Sequence, residues 1–259
     1  MNLNINGKTA LVTGAGRGLG FSICSNLAHE GVRIIAVSRT QSDLELLISR
    51  LKDTNNNFYL PLDIASPSGP DQLIKFLEEK CLYPDIIVNN LGGTLDFTDP
   101  FGSIDEFRQV MRLNVEVAME INNALIPHMR DQKWGRICHV SSISAIENQG
   151  PPSYCAAKAA LNAYVRSLGR YVSSDNVIMT TIMPGAILTK DGYWDLTLKN
   201  NPEIIDKFIM ERMAIKRLGS PEDISQFVTF LCSEHASFCA GSAFLADGGQ
   251  GRSFYPSFI

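Results

Sequence analysis

Thr13-Gly14-Ala15-Gly16-Arg17-Gly18-Leu19-Gly20 joins a β-rich run, residues 8–13, to a helical pattern, residues 19–30. Glycines in a strand-to-helix turn let the backbone approach a pyrophosphate at the helix N-terminus. The spacing is G-x-x-x-G-x-G, carried by Gly14, Gly18 and Gly20; Leu19 and Phe21 occupy positions where G-x-G-x-x-G asks for glycine. A plain turn is the competing reading, and the strand-to-helix context favours a dinucleotide loop.

Outward from this loop, short β-rich runs alternate with helical patterns. Strands are expected at residues 32–37, 58–62, 85–88, 135–140, 177–182 and 242–246. Helices are expected at 43–51, 71–80, 104–130, 153–172 and 221–232. Such alternation predicts a single α/β domain over 1–259, a doubly wound parallel sheet (Rossmann fold) with helices on both faces. Residues 190–217 break the rhythm; they are polar and aromatic, with a helix expected near 203–213. Long excursions at the carboxyl edge of a sheet usually act as lids, and a structural insertion is the alternative.

Bulk properties narrow the function classes. A chain of 259 residues, 45% hydrophobic and 19% charged, is an ordinary globule that can bury a large core. The net charge of −4 and scattered basic residues exclude nucleic acid and an anionic membrane as expected partners. Six cysteines without C-x-x-C spacing, and four scattered histidines, predict reduced thiols, a cytoplasmic location and no metal site. The polar first residues do not resemble a signal peptide, and no apolar run reaches the ~18 residues of a membrane span.

A dinucleotide fold asks for an acid about 20 residues beyond the loop, to hold a ribose 2′-OH. Here the second strand ends in Ser38-Arg39. Arg39, with Arg17 beside the loop, forms a candidate clamp for a 2′-phosphate, which predicts NADPH/NADP+ as cofactor. Two solvated surface arginines are the bland alternative. Asp63-Ile64, after the third strand, is placed to touch adenine; Asp63 as a helix cap is the alternative.

Tyr154 and Lys158 stand at i and i+4 on one helix, after a strand ending Val140-Ser141-Ser142. A phenol of ordinary pKa near 10 is a poor acid/base at neutral pH. A neighbouring ammonium should favour the phenolate and lower that pKa. A serine hydroxyl would hold the substrate oxygen while hydride reaches the carbon. Y-x-x-x-K is common on helices, so the argument rests on its coincidence with the loop.

These residues resemble the short-chain dehydrogenase/reductase family, within it the 3-oxoacyl-[acyl-carrier-protein] reductases, from Gly7 to Gly249. The loop resembles T-G-x-x-x-G-x-G. Asn89-Asn90-Leu91-Gly92 resembles N-N-A-G, with Leu91 replacing alanine. Asn114 stands where the family keeps its active-site asparagine. Pro184-Gly185-Ala186-Ile187-Leu188-Thr189 resembles P-G-x-I-x-T. Gly219-Ser220-Pro221-Glu222-Asp223 and Asp247-Gly248-Gly249 resemble two late motifs. The resemblance implies that Tyr154 moves the proton, Lys158 binds ribose, Ser142 steadies the substrate oxygen and Asn114 holds a water. It implies cofactor contacts at Gly14, Arg17, Gly18, Leu19, Gly20, Ser38, Arg39, Asp63, Ile64, Asn90, Gly92, Tyr154, Lys158, Pro184, Gly185, Ile187 and Thr189. The 142–154 loop is about one residue short, which leaves Ser141 as a substitute for Ser142.

Other residues read as structure. Leu161, Tyr164, Leu168 and Tyr171 are expected in the core, and His139 as a buried hydrogen-bonder. Cys155 reads as packing. Tyr193 and Trp194 divide between burial and substrate contact. The Ala156, Ala160 and Ala163 stripe, the long 104–130 helix and the family resemblance imply a homotetramer, with the apolar tail 254–259 as a further segment to cross between subunits. The expected substrate is a small ketone, aldehyde or alcohol: a 3-oxoacyl thioester or a sugar-like polar metabolite. Acidic residues offset the basic ones of 190–217, which favours the polar metabolite. A non-catalytic NADPH sensor and a lyase or epimerase on this scaffold are the rivals.

Overall fold

The computed structural model describes residues 1–51, 56–147 and 149–252. Seven parallel strands form one sheet: β1 (Thr9–Thr13), β2 (Arg33–Ser38), β3 (Phe58–Pro61), β4 (Ile86–Asn89), β5 (Gly135–Val140), β6 (Val177–Pro184) and β7 (Ser242–Ala246). Their order is β3-β2-β1-β4-β5-β6-β7, the doubly wound topology the alternation predicts. β1, β5 and β6 are buried along their whole length, as parallel strands covered on both faces must be. Order reverses between β1 and β4, and ligands of such sheets bind outside the carboxyl ends at that switch.

Helices α1 (Gly18–His29), α2 (Gln41–Arg50) and α9 (Pro221–Leu231) cover one face. Helices α3 (Gly69–Glu79), α4 (Ile104–Met111), α5 (Val117–Asp131) and α6 (Pro152–Val172) cover the other. Two apolar cores result, one on each side of the sheet.

Three expectations need correction. The single helix at 104–130 is interrupted by a π-helical segment, Arg112–Glu116, where Val117 N–H reaches back five residues to Arg112 O. The Asn114 side chain donates to Val110 O at 2.8 Å, competing there with the backbone ladder. The 190–217 stretch holds the helix expected near 203–213, α8 (Pro202–Arg212), and also an unexpected one before it, α7 (Tyr193–Asn200). Trp194 packs on Phe208 across that pair, with ring centres 4.4 Å apart and planes tilted by 41°, a contact no periodicity within α7 announces. Tyr171 is 75% exposed, whereas Leu161 is buried and Tyr164 and Leu168 are half-buried. The buried stripe of α6 runs through Ala157, Leu161, Val165 and Val172, and Tyr171 falls off its edge. The tail 254–259 lies outside the described residues.

Candidate active site

The G-x-x-x-G-x-G loop leaves β1 and enters α1 at the switch point. Ala15 N–H donates to Val37 O, which ties the loop to β2. A Cβ at position 20 would fall 2.1 Å from Gly14 O, so only glycine lets α1 pack this close to the strand end. No side chain caps α1, and its first turn holds no acid. Its amides therefore face outward as an anion site.

Ser38 ends β2 beside this loop. Its Oγ is buried and has no hydrogen-bond partner among the described residues. Arg17 and Arg39 are exposed, and no ion pair engages either among the described residues. An orphaned hydroxyl, two free guanidiniums and an uncapped helix are groups that fit a dinucleotide carrying a 2′-phosphate. One carboxylate also lies here: Asp43, in the first turn of α2, packs against Gly16.

At the third strand, Asp63 is exposed and accepts Ala65 N–H at 3.2 Å. It closes a turn rather than capping a helix, because α3 begins only at Gly69. Ile64 is buried. Arg112, missed by the sequence reading, donates to Ala65 O and Ser66 O at 3.3 Å and pairs with Glu120. The turn that carries Asn114 thus also holds the loop after β3.

Asn90, just after β4, ties down the phosphate loop. Its Nδ2 donates to Thr13 O and Gly14 O at 3.0 and 3.1 Å. Beyond it, a Cβ on Gly92 would lie 2.7 Å from both Lys158 Nζ and Asn114 Oδ1. Asn114 is buried; it donates to Gly93 O at 2.8 Å and accepts Gly93 N–H at 3.1 Å.

Lys158 is 2% exposed, and its Nζ donates to Val140 O at 2.9 Å. Burial lowers its pKa to about 7. Its Nζ stands 5.6 Å from the Tyr154 ring centre. Burial pushes the Tyr154 phenol above its ordinary value, against a hydrogen bond with Ser142 that pulls it down. Withdrawal from water is thus the largest influence on Tyr154 and runs opposite to the expected depression, outweighing the Ser142 contact.

Ser142 accepts Ser144 N–H at 3.1 Å and meets Ser144 Oγ at the same distance. Ser141 points elsewhere: it is buried, and its hydroxyl donates to Lys158 O at 3.3 Å. Of the two, Ser142 is the one whose hydroxyl acts on Tyr154, lowering its pKa. Cys155 donates to Gly150 O at 3.6 Å.

On the far wall, Gly185 N–H donates to Ala246 O at 3.2 Å, and Leu188 N–H to Gly219 O at 2.8 Å. Ile187 bridges to Gly219, and Thr189 lies across from Gly18 at the start of α1. Pro184, Gly185, Ile187 and Thr189 thus form a continuous wall running from β6 to the phosphate loop. His139, below the serines, is fully buried with Asn122 and Asn89 at 2.9 and 3.1 Å from Nε2. Gln149 and Gln250, joined by a hydrogen bond, also line this region and were missed; a lone glutamine carries no spacing signal. No group of metal-ligating side chains occurs among the described residues, nor is any described helix long and apolar enough to cross a membrane.

A parallel sheet with this switch point, loop and tyrosine–lysine helix defines a dinucleotide-dependent oxidoreductase. The family model "short chain dehydrogenase" matches residues 8–192, and the chain belongs to that family. It is 31% identical over 250 residues to a 3-oxoacyl-[acyl-carrier-protein] reductase of Pseudomonas aeruginosa, covering 96% of this chain and 99% of the relative. Among solved structures it resembles L-sorbose reductase from Gluconobacter frateurii, complexed with NADPH and L-sorbose. That match has a TM-score of 0.88 and 33% identity over 96% of this chain and 98% of the other. It also resembles an NADP-bound 3-oxoacyl (acyl-carrier-protein) reductase from Agrobacterium tumefaciens C58, with a TM-score of 0.88 and 26% identity over 95% of each chain. The chain is thus a short-chain dehydrogenase/reductase that interconverts carbonyl and alcohol groups.

Proposed function

We propose that this protein is an NADPH-dependent carbonyl reductase of the cytoplasm, acting as a homotetramer on a small polar ketone. The observation that carries it is the convergence of Ser142, Tyr154, Lys158 and Asn114 beside the uncapped start of α1. When bound, the nicotinamide supplies a hydride to the carbonyl carbon. Arg17, Arg39 and Ser38 would hold the 2′-phosphate. The α1 amides and Gly14, Gly18, Leu19 and Gly20 would hold the pyrophosphate. Asp63 and Ile64 would flank adenine, and Asn90, Gly92, Pro184, Gly185, Ile187 and Thr189 the nicotinamide end.

Tyr154 carries its proton at neutral pH and delivers it to the substrate oxygen; since burial alone makes the phenol a weaker acid, the transfer relies on the Lys158 ammonium to offset the charge of the phenolate that forms. Ser142 steadies that oxygen. Lys158 stabilises the phenolate that forms and binds the ribose. Asn114 orders a water on the route by which Lys158 regains protons from solvent. Residues 190–217 close over the substrate as a lid.

The polar substrate is supported by the lid's charges. Lys199 pairs with Asp195 at 2.7 Å and Asp191 at 3.5 Å, and Lys207 lies 3.9 Å from Glu211. Cations so neutralised offer little to an acidic carrier protein. The test is a carbonyl panel with NADPH, followed by absorbance, on wild type and Tyr154→Phe. Removing the acid should lower kcat by about 10²–10⁴-fold while NADPH still binds. A variant with more than half the activity would refute the assignment, and a wild type that consumes no NADPH would favour the sensor reading.

A further inference from the structure

Gln250 follows the Asp247-Gly248-Gly249 turn and is 2% exposed. Its Oε1 accepts Ala186 N–H at 2.7 Å. A backbone N–H only donates, so this contact settles which end of the Gln250 amide is oxygen. Its Nε2 then donates to Gln149 Oε1. That contact orients Gln149 in turn and leaves Gln149 Nε2 as the free donor. This nitrogen is buried and has no hydrogen-bond partner among the described residues. A buried donor without an acceptor is destabilising and calls for an explanation.

Its surroundings supply one. The carbonyl of Gln149 accepts from Ser144 Oγ, which contacts Ser142. The next residue lies against the acid: a Cβ on Gly150 would stand 3.4 Å from Tyr154 Cδ1. Ala186, at the other end of the relay, belongs to the 184–189 wall. The carboxylates flanking Gln250 are already in use, Glu147 by Arg252 N–H and Asp247 by Gly249 and Gly251 N–H. Their charge disfavours an anionic ligand. Neutral amide and hydroxyl groups recognise hydroxyl oxygens.

We propose that Gln149 Nε2 donates to a substrate hydroxyl near the reacting carbonyl, with Gln250 as its positioning residue, so that the site selects uncharged polyhydroxy ketones. This rests on the reductase reading.

The test compares kcat/KM for L-sorbose and for 2,3-butanedione, which has no hydroxyl, with NADPH as reductant. Gln149→Leu should lower the ketose value relative to the dione by about 10-fold, the size of one neutral hydrogen bond. Gln250→Glu should do the same without touching substrate. Its second carboxylate oxygen would accept from Gln149 Nε2, turning that amide around and consuming the donor. Melting temperature and NADPH fluorescence verify that both variants fold and bind.

An equal loss on both substrates, or an unaltered ratio in Gln250→Glu, overturns the inference. So does a wild type that reduces the dione but not the ketose. A wild type that reduces neither overturns the reductase reading, and this proposal with it.

Discussion

At the scale of single residues, charge and burial lead to separate expectations. Arg39 and Arg17 are exposed, so each contact to phosphate is screened. Even so, two charge-assisted contacts should favour NADPH over NADH by about 10- to 100-fold in kcat/KM. Arg39→Ala should weaken NADPH and leave NADH nearly unaltered. Ser38→Asp should reverse the preference, because a carboxylate there repels phosphate and accepts from a 2′-hydroxyl. Equal weakening of both cofactors by Arg39→Ala would refute the clamp. His139 bears on stability instead. Burial lowers its pKa from 6.5 to about 4, so between these values the unfolded chain binds the extra proton. Stability is full above pH 6.5 and falls by about 3 kcal/mol as pH drops to about 4. Urea titrations of wild type and His139→Asn should differ in slope over that window; parallel curves would contradict it. Lys158 does not confuse this test, since with a pKa of about 7 it is largely protonated in both states below pH 6.

At the scale of elements, α7 and α8 are the least anchored. No residue of α7 is buried, and Ile205 is the buried residue of α8. Trp194 and Phe208 pack ring against ring between them. Elements with so little burial open at low free energy. Hydrogen exchange over 193–212 should be fast in the free protein and slow with NADPH and substrate together. Equal protection would argue for a fixed insertion. The helices were legible wherever an apolar stripe faces the sheet, as in α1, α6 and α9. The π-helical turn was not, because its cause is a side chain, Asn114, bonding to Val110 O and to Gly93 from a distant loop. α7 was missed for a related reason: its partner is α8 rather than the sheet.

At the scale of the whole molecule, the outer surface of α6 exposes Ala156, Ala163 and Tyr171. A groove of about 300 Å³ runs between α5 and α6, lined by Ile126, Pro127, Leu168 and Tyr171. Small residues beside a groove of mixed lining, to which Asn123 and Arg130 also contribute, suit close packing against a two-fold-related copy. Light scattering at micromolar concentration should return the mass of a tetramer, and a monomer mass would refute this. The doubly wound parallel class followed from the alternation of patterns and the right-handedness of crossovers; the strand order did not, because pairing between strands distant in the chain leaves no local pattern. The phosphate loop and the Tyr154–Lys158 pair were legible because their spacing is local. Arg112, Gln149 and Gln250 were not, since their roles come from contacts between distant segments.

The π-helical turn also has a consequence for insertions and deletions. Val110 and Met129 are both buried, though 19 positions separate them. On an unbroken α-helix of 3.6 residues per turn they would lie about 100° apart. One surplus residue within 112–116 absorbs that difference and turns both toward the core. Loss of a single residue there would give a regular helix with the same buried face. The fold would survive it, whereas Asn114 would leave Gly93 and Arg112 would release the loop after β3. This turn is thus a place where chain length itself, rather than residue identity, separates an intact scaffold from an intact reaction centre.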